Sequence, residues 1–163
     1  MEKLDILCMK MIQWNDKDPR RIQHFLKVHS FARLIGHGEA LEEELQEIVE
    51  AAAMVHDIGI RPAEEKFKKA NGKLQEQEGP EPARQLMLEA GYTKEQAERV
   101  AYLAGHHHTY DIIDGMDYQI LVEADFLVNF YEDATPIENI EKAMEKVFRT
   151  KTGIQICKTQ FGC

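Results

Sequence analysis

His56 and Asp57 stand side by side where the apolar run Ala51-Ala52-Ala53-Met54-Val55 gives way to Ile58-Gly59, so two metal-ligand types sit where a helix stops. Imidazole nitrogen and carboxylate oxygen together suit divalent ions. Two more residues of these types lie far off in the chain. His24, within Arg-Ile-Gln-His-Phe-Leu-Lys-Val at residues 21–28, shares a helical stripe with Val28, Phe31, Ala32 and Ile35, which turns it inward. Asp125, within Ile-Leu-Val-Glu-Ala-Asp-Phe-Leu-Val at residues 120–128, has Leu121, Val122 and Val128 at the same kind of spacing. A carboxylate turned into a core must be compensated, because an isolated buried ion shifts its pKa and neutralises. Taken singly, His24 reads as a satisfied core histidine and Asp125 as half of an ion pair between helices. Gathered around a His-Asp pair, they read as a metal site.

The segments that must carry these groups are helical by their punctuation. Asp18-Pro19 offers an N-cap and an N1 proline for a helix to about Ile35, where Gly36 can stop it. Acidic Glu42 to Glu50 opens the helix that delivers His56-Asp57, and residues 117–132 form a strongly apolar helix. Thr93 with Gln96 makes a capping box for a segment ending near His106, after Gly91 closes the helix before it. Thr135-Pro136-Ile137-Glu138 starts a last helix, to about Phe148. Residues 58–79 read as the longest irregular stretch, with a short helix at 62–70, and residues 152–163 carry no clear signal. The expectation is six or seven helices and no strand.

With 163 residues, 44% apolar and 30% charged, the chain has the size and composition of one globular domain, residues 1–163. Its net charge of -9 argues against nucleic acid as a partner, since phosphate-backbone binding needs a dense basic face. Cys8, Cys157 and Cys163 are too few for a disulfide framework, so reduced thiols and a cytoplasmic location are expected. No apolar run reaches the roughly 20 residues of a membrane span, and the start Met-Glu-Lys-Leu-Asp does not look like a signal peptide.

The ordered set His24-x3-Val28-x3-Ala32, Ala53-Met54-Val55-His56-Asp57-Ile58-Gly59 and Glu123-Ala124-Asp125 resembles the HD superfamily of metal-dependent phosphohydrolases, over about residues 20–130. The resemblance implies an all-α HD-domain helical bundle with a metal in its central cleft, held by His24, His56, Asp57 and Asp125. Members hydrolyse phosphate monoesters, diesters and pyrophosphate linkages, often in nucleotides; a minority are diiron oxygenases. His106-His107-His108-Thr109 further resembles the paired histidines of binuclear members, with His107 and His108 favoured as ligands and His106 as the spare. Aligning the helix after the His-Asp loop on Ala83 and Leu86 puts Glu78 where those members carry another ligand. One or two divalent ions per chain are therefore expected, from among Fe, Mn, Zn, Ni, Co and Mg. Relatives that cleave cyclic dinucleotides carry a lysine after His-Asp-Ile-Gly and a Gly-Tyr-Pro after the paired histidines. Here Ile60 and Asp114-Gly115-Met116 stand instead, so that activity is not implied.

Residues 61–73 hold Arg61, Lys66, Lys68, Lys69 and Lys73 against Glu64 and Glu65, a local balance of +3 in an acidic protein. Such a loop can draw in phosphate oxygens, which makes Arg61, Lys66 and Lys73 candidate substrate contacts; a solvated lysine-rich face is the plainer alternative. Tyr110 and Tyr118 could stack on a base or pack in the core. The expected function is hydrolysis of a phosphate ester or anhydride, of a nucleotide above all, with Asp57 and His56 at the reacting centre. Two rivals differ in chemistry: a diiron oxygenase at the same residues, and a nucleotide-binding regulator without activity.

Overall fold

The computed structural model describes all of residues 1–163, as ten helices with no strand. In chain order they are α1 (Lys3–Trp14), α2 (Pro19–Gly38), α3 (Glu43–Val55), α4 (Ile60–Phe67), α5 (Gly72–Glu78), α6 (Pro80–Glu89), α7 (Lys94–Ala104), α8 (Met116–Glu132), α9 (Ile137–Val147) and α10 (Lys151–Phe161). None is long and apolar enough to cross a membrane.

Helices α3 and α8 form the centre, and α2 packs against both. From Ile48 to Val55 every residue of α3 except Glu50 is buried, and the run of alanines keeps side chains short where three helices meet. The start of α2 is as its sequence dictates: the Asp18 side chain accepts the Arg21 backbone N–H at 3.1 Å and Pro19 occupies the first turn. Its end is not. The helix runs through Gly36 to Gly38, because Gly36 is a packing glycine and not a stop: a Cβ there would lie 2.2 Å from the Gln46 side-chain oxygen of α3. The Thr93/Gln96 capping box opens α7 as expected, whereas α9 starts on Pro136 with no side-chain cap.

Residues 58–79 are not irregular: they form α4 and α5, joined by four residues that begin with Lys68 in the left-handed region (φ 61°). Gly59 makes this fold-back possible, since a Cβ there would meet the Gln75 carbonyl oxygen at 2.3 Å. Helices α1, α5 and α10 bring the count above seven. The last is docked by a buried acid. Glu123 of α8, fully inaccessible, accepts the Thr150 hydroxyl (2.6 Å), the Thr150 and Arg149 N–H groups (3.0 and 2.9 Å) and the Gln119 amide (2.6 Å). A carboxylate held this way satisfies the open N–H groups at the start of α10 and is itself compensated.

Candidate metal centre

Three central elements aim four side chains at a common point: α2 contributes His24, α8 contributes Asp125, and the turn leaving α3 contributes His56 and Asp57. His24 Nε2 lies 3.3 Å from His56 Nε2, 3.1 Å from Asp125 Oδ1 and 3.2 Å from Asp57 Oδ2. His56 Nε2 lies 3.3 Å from both of those carboxylate oxygens. Ligand bonds of about 2.0–2.2 Å at roughly 90–110° put neighbouring donor atoms about 3.0–3.5 Å apart, so each of these five pairs is spaced as neighbouring ligands would be; His24, His56 and Asp57 bring one ligand atom each within 4.8 Å of one another, and Asp125 lies against both histidines.

The other nitrogen of each ring is committed elsewhere, which fixes the orientation. His56 Nδ1 donates to the Ala53 carbonyl at 2.8 Å, an acceptor that leaves Nε2 to face the centre. His24 Nδ1 donates to Glu132 Oε1 at 2.6 Å, and the Glu132 carboxylate also takes Lys27 at 2.9 Å. Burial opposes charge on His24, but the Asp125 and Asp57 carboxylates outweigh it and raise its pKa to about 10. His56 is likewise raised, against burial, by Asp57 and Asp125. Burial would push the two aspartates up; His56 chiefly, with His24 and, for Asp57, His107, holds both well below the usual carboxylate range. Without a cation the cluster therefore balances its acids with protons on its histidines, and a divalent ion is the group that would replace them.

Asp57 reaches a second cluster with its other oxygen. His107 Nε2 lies 3.2 Å from Asp57 Oδ1, while His107 Nδ1 donates to the Ala104 carbonyl at 3.0 Å. His108 packs against His107 with ring centres 3.9 Å apart, and one ligand atom each from Asp57, His107 and His108 fall within 4.8 Å of one another. The His108 Nε2 donates to the Gln75 side-chain oxygen at 2.8 Å, leaving Nδ1 as its free donor. Burial first, and His107 next, push the His108 pKa down to about 4, so this ring is neutral, as a ligand must be. His106 turns away and stacks on Tyr102, ring centres 4.0 Å apart. Tyr118, a candidate for base stacking by sequence, is instead wholly buried; its hydroxyl donates to the carbonyls of His106 (2.7 Å) and Thr109 and so pins the histidine segment.

The remaining candidates lie apart from these clusters. The Glu78 carboxylate pairs with Lys66 and takes the Gln77 amide at 3.2 Å, so it is not brought to Asp57, His107 and His108; α5 offers Gln75 there instead. Arg61 donates to the backbone carbonyls of Trp14 (2.5 Å) and Asp16 (3.0 Å) and to the Asp16 carboxylate (2.8 Å), a clamp on the end of α1. Lys73 is exposed at the start of α5. Basic side chains do border the centre, but from the start of α2: Arg20 and Arg21 line the cavity that opens onto His24 and Asp57.

A sequence profile described as HD domain matches residues 21–147. The chain belongs to the HD domain family. Its fold is similar to that of a predicted HD superfamily hydrolase from an uncultured Thermotogales bacterium, with a TM-score of 0.66 and 23% identity over 98% of this chain and 83% of the other. No curated protein matches it. Sequence reasoning missed Glu132, Gln75 and Arg20 among the residues around this HD centre. Glu132 alone carried a signal, two helical turns beyond Asp125 and therefore on the same face of α8.

Proposed function

We propose that this HD domain is a metal-dependent phosphohydrolase, cleaving a small-molecule phosphate ester or anhydride by attack of water. The observation that carries the reading is the approach of His24 Nε2 and His56 Nε2 to each other and to both Asp57 Oδ2 and Asp125 Oδ1 at 3.1–3.3 Å, while Asp57 Oδ1 faces His107. A divalent ion held by these residues supplies Lewis acidity toward a phosphoryl oxygen and toward water. Asp57 remains anionic, as a ligand facing both clusters would have to be. Glu132 and the carbonyls of Ala53 and Ala104 keep three imidazoles aimed inward. Arg20 and Arg21 line the cavity that opens onto His24 and Asp57, which supports a role in holding a substrate phosphate there. In the reaction the water oxygen bonds to phosphorus, the bond from phosphorus to the leaving oxygen breaks, and the proton given up by water ends on that oxygen. The two clusters sharing Asp57 support one ion at the first and a second at His107 and His108. Three unpaired cysteines suit a reducing compartment, the cytoplasm.

The test is metal analysis of the purified protein, then phosphate release and oxygen uptake measured in parallel over a panel of phosphate compounds. Phosphate release that chelation abolishes is the expected result. Oxygen consumption without phosphate release would replace this reading with a diiron oxygenase, and recovery of a bound nucleotide intact, with no turnover, would replace it with a regulator.

A further inference from the structure

The cavity that opens onto His24 and Asp57 has a volume of about 310 Å³ and not one apolar side chain in its wall. Beyond the two ligands it is lined by Asp18, Arg20, Arg21, Asn129 and Glu132. Arg21 is held by Asp18 at 3.4 Å and by Glu64, and Glu132 by His24 and Lys27. Arg20 and Asn129 are different: their side chains have no partner within the protein, so their donors and acceptors are free to meet a ligand. An Asn amide offers one acceptor and two N–H donors, and a guanidinium offers five donors in a fork that fits phosphate.

This wall suits hydroxyl groups and does not suit a nucleobase. A base is gripped by apolar or aromatic surface against its face. Tyr110 could supply one, but its ring packs on Phe126, centres 5.2 Å apart. It also lines a different cavity, with Lys146, Val147 and His108 of the second cluster, into which none of His24, His56, Asp57 and Asp125 opens. In the 310 Å³ cavity the Asn129 oxygen is a free acceptor for a hydroxyl hydrogen, and the carboxylate oxygens of Asp18 and Glu132, already facing Arg21, His24 and Lys27, keep further lone pairs that can accept another. That volume lies at the lower end of the roughly 300–1,000 Å³ of small-molecule sites, which favours a compact ligand.

Given phosphohydrolase chemistry at the adjoining centre, on which the assignment rests, we propose that the substrate is the phosphate monoester of a small polyhydroxylated alcohol, a sugar or polyol phosphate. Arg20 and Asn129 are its specificity-determining contacts. Water's oxygen joins phosphorus, the ester bond breaks, and the sugar leaves as the free alcohol with the proton that water loses.

The experiment compares the metal-loaded protein with its Arg20→Ala and Asn129→Leu variants on glucose 6-phosphate, ribose 5-phosphate and glycerol 3-phosphate, with nucleoside 5′-monophosphates as the contrasting set. Calorimetric titration of glucose 6-phosphate gives a readout independent of turnover. Because Arg20 is exposed and unpartnered, its loss leaves the fold intact. The sugar phosphates should be cleaved with a kcat/KM at least about tenfold above the nucleotides. Each variant should raise KM and weaken calorimetric binding by about tenfold, the effect of one useful charged or polar contact, with kcat changed much less. Nucleotides cleaved as well as or better than the sugar phosphates, or variants with the parent KM, would overturn the assignment while phosphate release still stood. Absence of phosphate release from every compound would instead overturn the hydrolase reading beneath it.

Discussion

Glu132 should control metal affinity without touching the metal. Its Oε1 accepts the His24 Nδ1 hydrogen at 2.6 Å, from a side chain only 14% exposed. The Glu132→Gln variant keeps the shape and an acceptor for that hydrogen, but it removes the charge that makes the opposite nitrogen a stronger donor. Partners of ligating histidines typically account for about 10–100-fold in affinity, or about 1.4–2.7 kcal/mol at about 1.4 kcal/mol per tenfold. The Lys27–Glu132 contact is lost in the same variant; with Lys27 40% exposed, that pair contributes at most about 1 kcal/mol. A Lys27→Met control removes it alone. Competition against a chromophoric chelator should therefore show the Glu132→Gln protein binding its tighter ion at least about tenfold more weakly, with Lys27→Met close to the parent and helicity unchanged in both. An affinity for Glu132→Gln within about twofold of the parent would mean either that His24 is not a ligand or that its orientation is set by packing alone.

Asp57 faces both clusters, so Asp57→Ala should abolish activity and remove most bound metal while the helical circular dichroism signal persists; full metal content in that variant would sink the site. If His107 and His108 hold a second ion, His107→Ala should lower the measured stoichiometry from about two to about one per chain, and an unchanged value would leave a single-ion centre. Arg61→Ala should lower stability by about 1–2 kcal/mol in denaturant titration, since the guanidinium clamps two carbonyls at the end of α1, and it should leave KM alone; the reverse pattern would restore Arg61 as a substrate contact. The pH dependence has a definite sign. His24, raised from 6.5 to about 10, stabilises the metal-free protein fully below pH 6.5, and that contribution is lost as pH rises through 10. Metal binding must displace the same proton, so the increase in Tm given by added metal should grow between pH 6.5 and 10; an increase that shrank over that range would contradict the protonated cluster.

The helices that position the centre were legible because their own termini and faces specify them. Asp18-Pro19, Thr93/Gln96 and the stripe around His24 are local signals, and each is where the structure has an element start or a buried face. Gly36 was misleading for a physical reason: glycine serves both to end a helix and to let another helix approach, and only the tertiary partner, Gln46, distinguishes the two. Helix α10 was poorly legible although Thr150 is a local N-cap that accepts the Gly153 N–H at 2.9 Å; a glycine within its first turns weakens that signal, and what docks the helix is long-range, the buried Glu123 carboxylate 27 residues from Thr150.

The centre divides in the same way. His24, His56, Asp57 and Asp125 declare themselves because a polar group on an apolar stripe is anomalous wherever the partner lies, so the anomaly is written in the segment itself. Arg61, Lys66 and Lys73 are not anomalous, since charge on an exposed helix is ordinary, and what they do depends on which acceptor folding places beside them. For Arg61 that acceptor is the end of α1, and for Lys66 it is Glu78. Glu78 faces Lys66 in that pair and is not among the groups gathered with His107. Arg20 shows the converse: nothing in Asp18-Pro19-Arg20-Arg21 marks one arginine from the other, yet Arg21 is held by Asp18 and Glu64 while Arg20 is left free at the cavity. Candidate ligands for an ion are thus readable from burial pattern, whereas candidate contacts for a substrate emerge only from the charges that remain unpaired after the fold has closed.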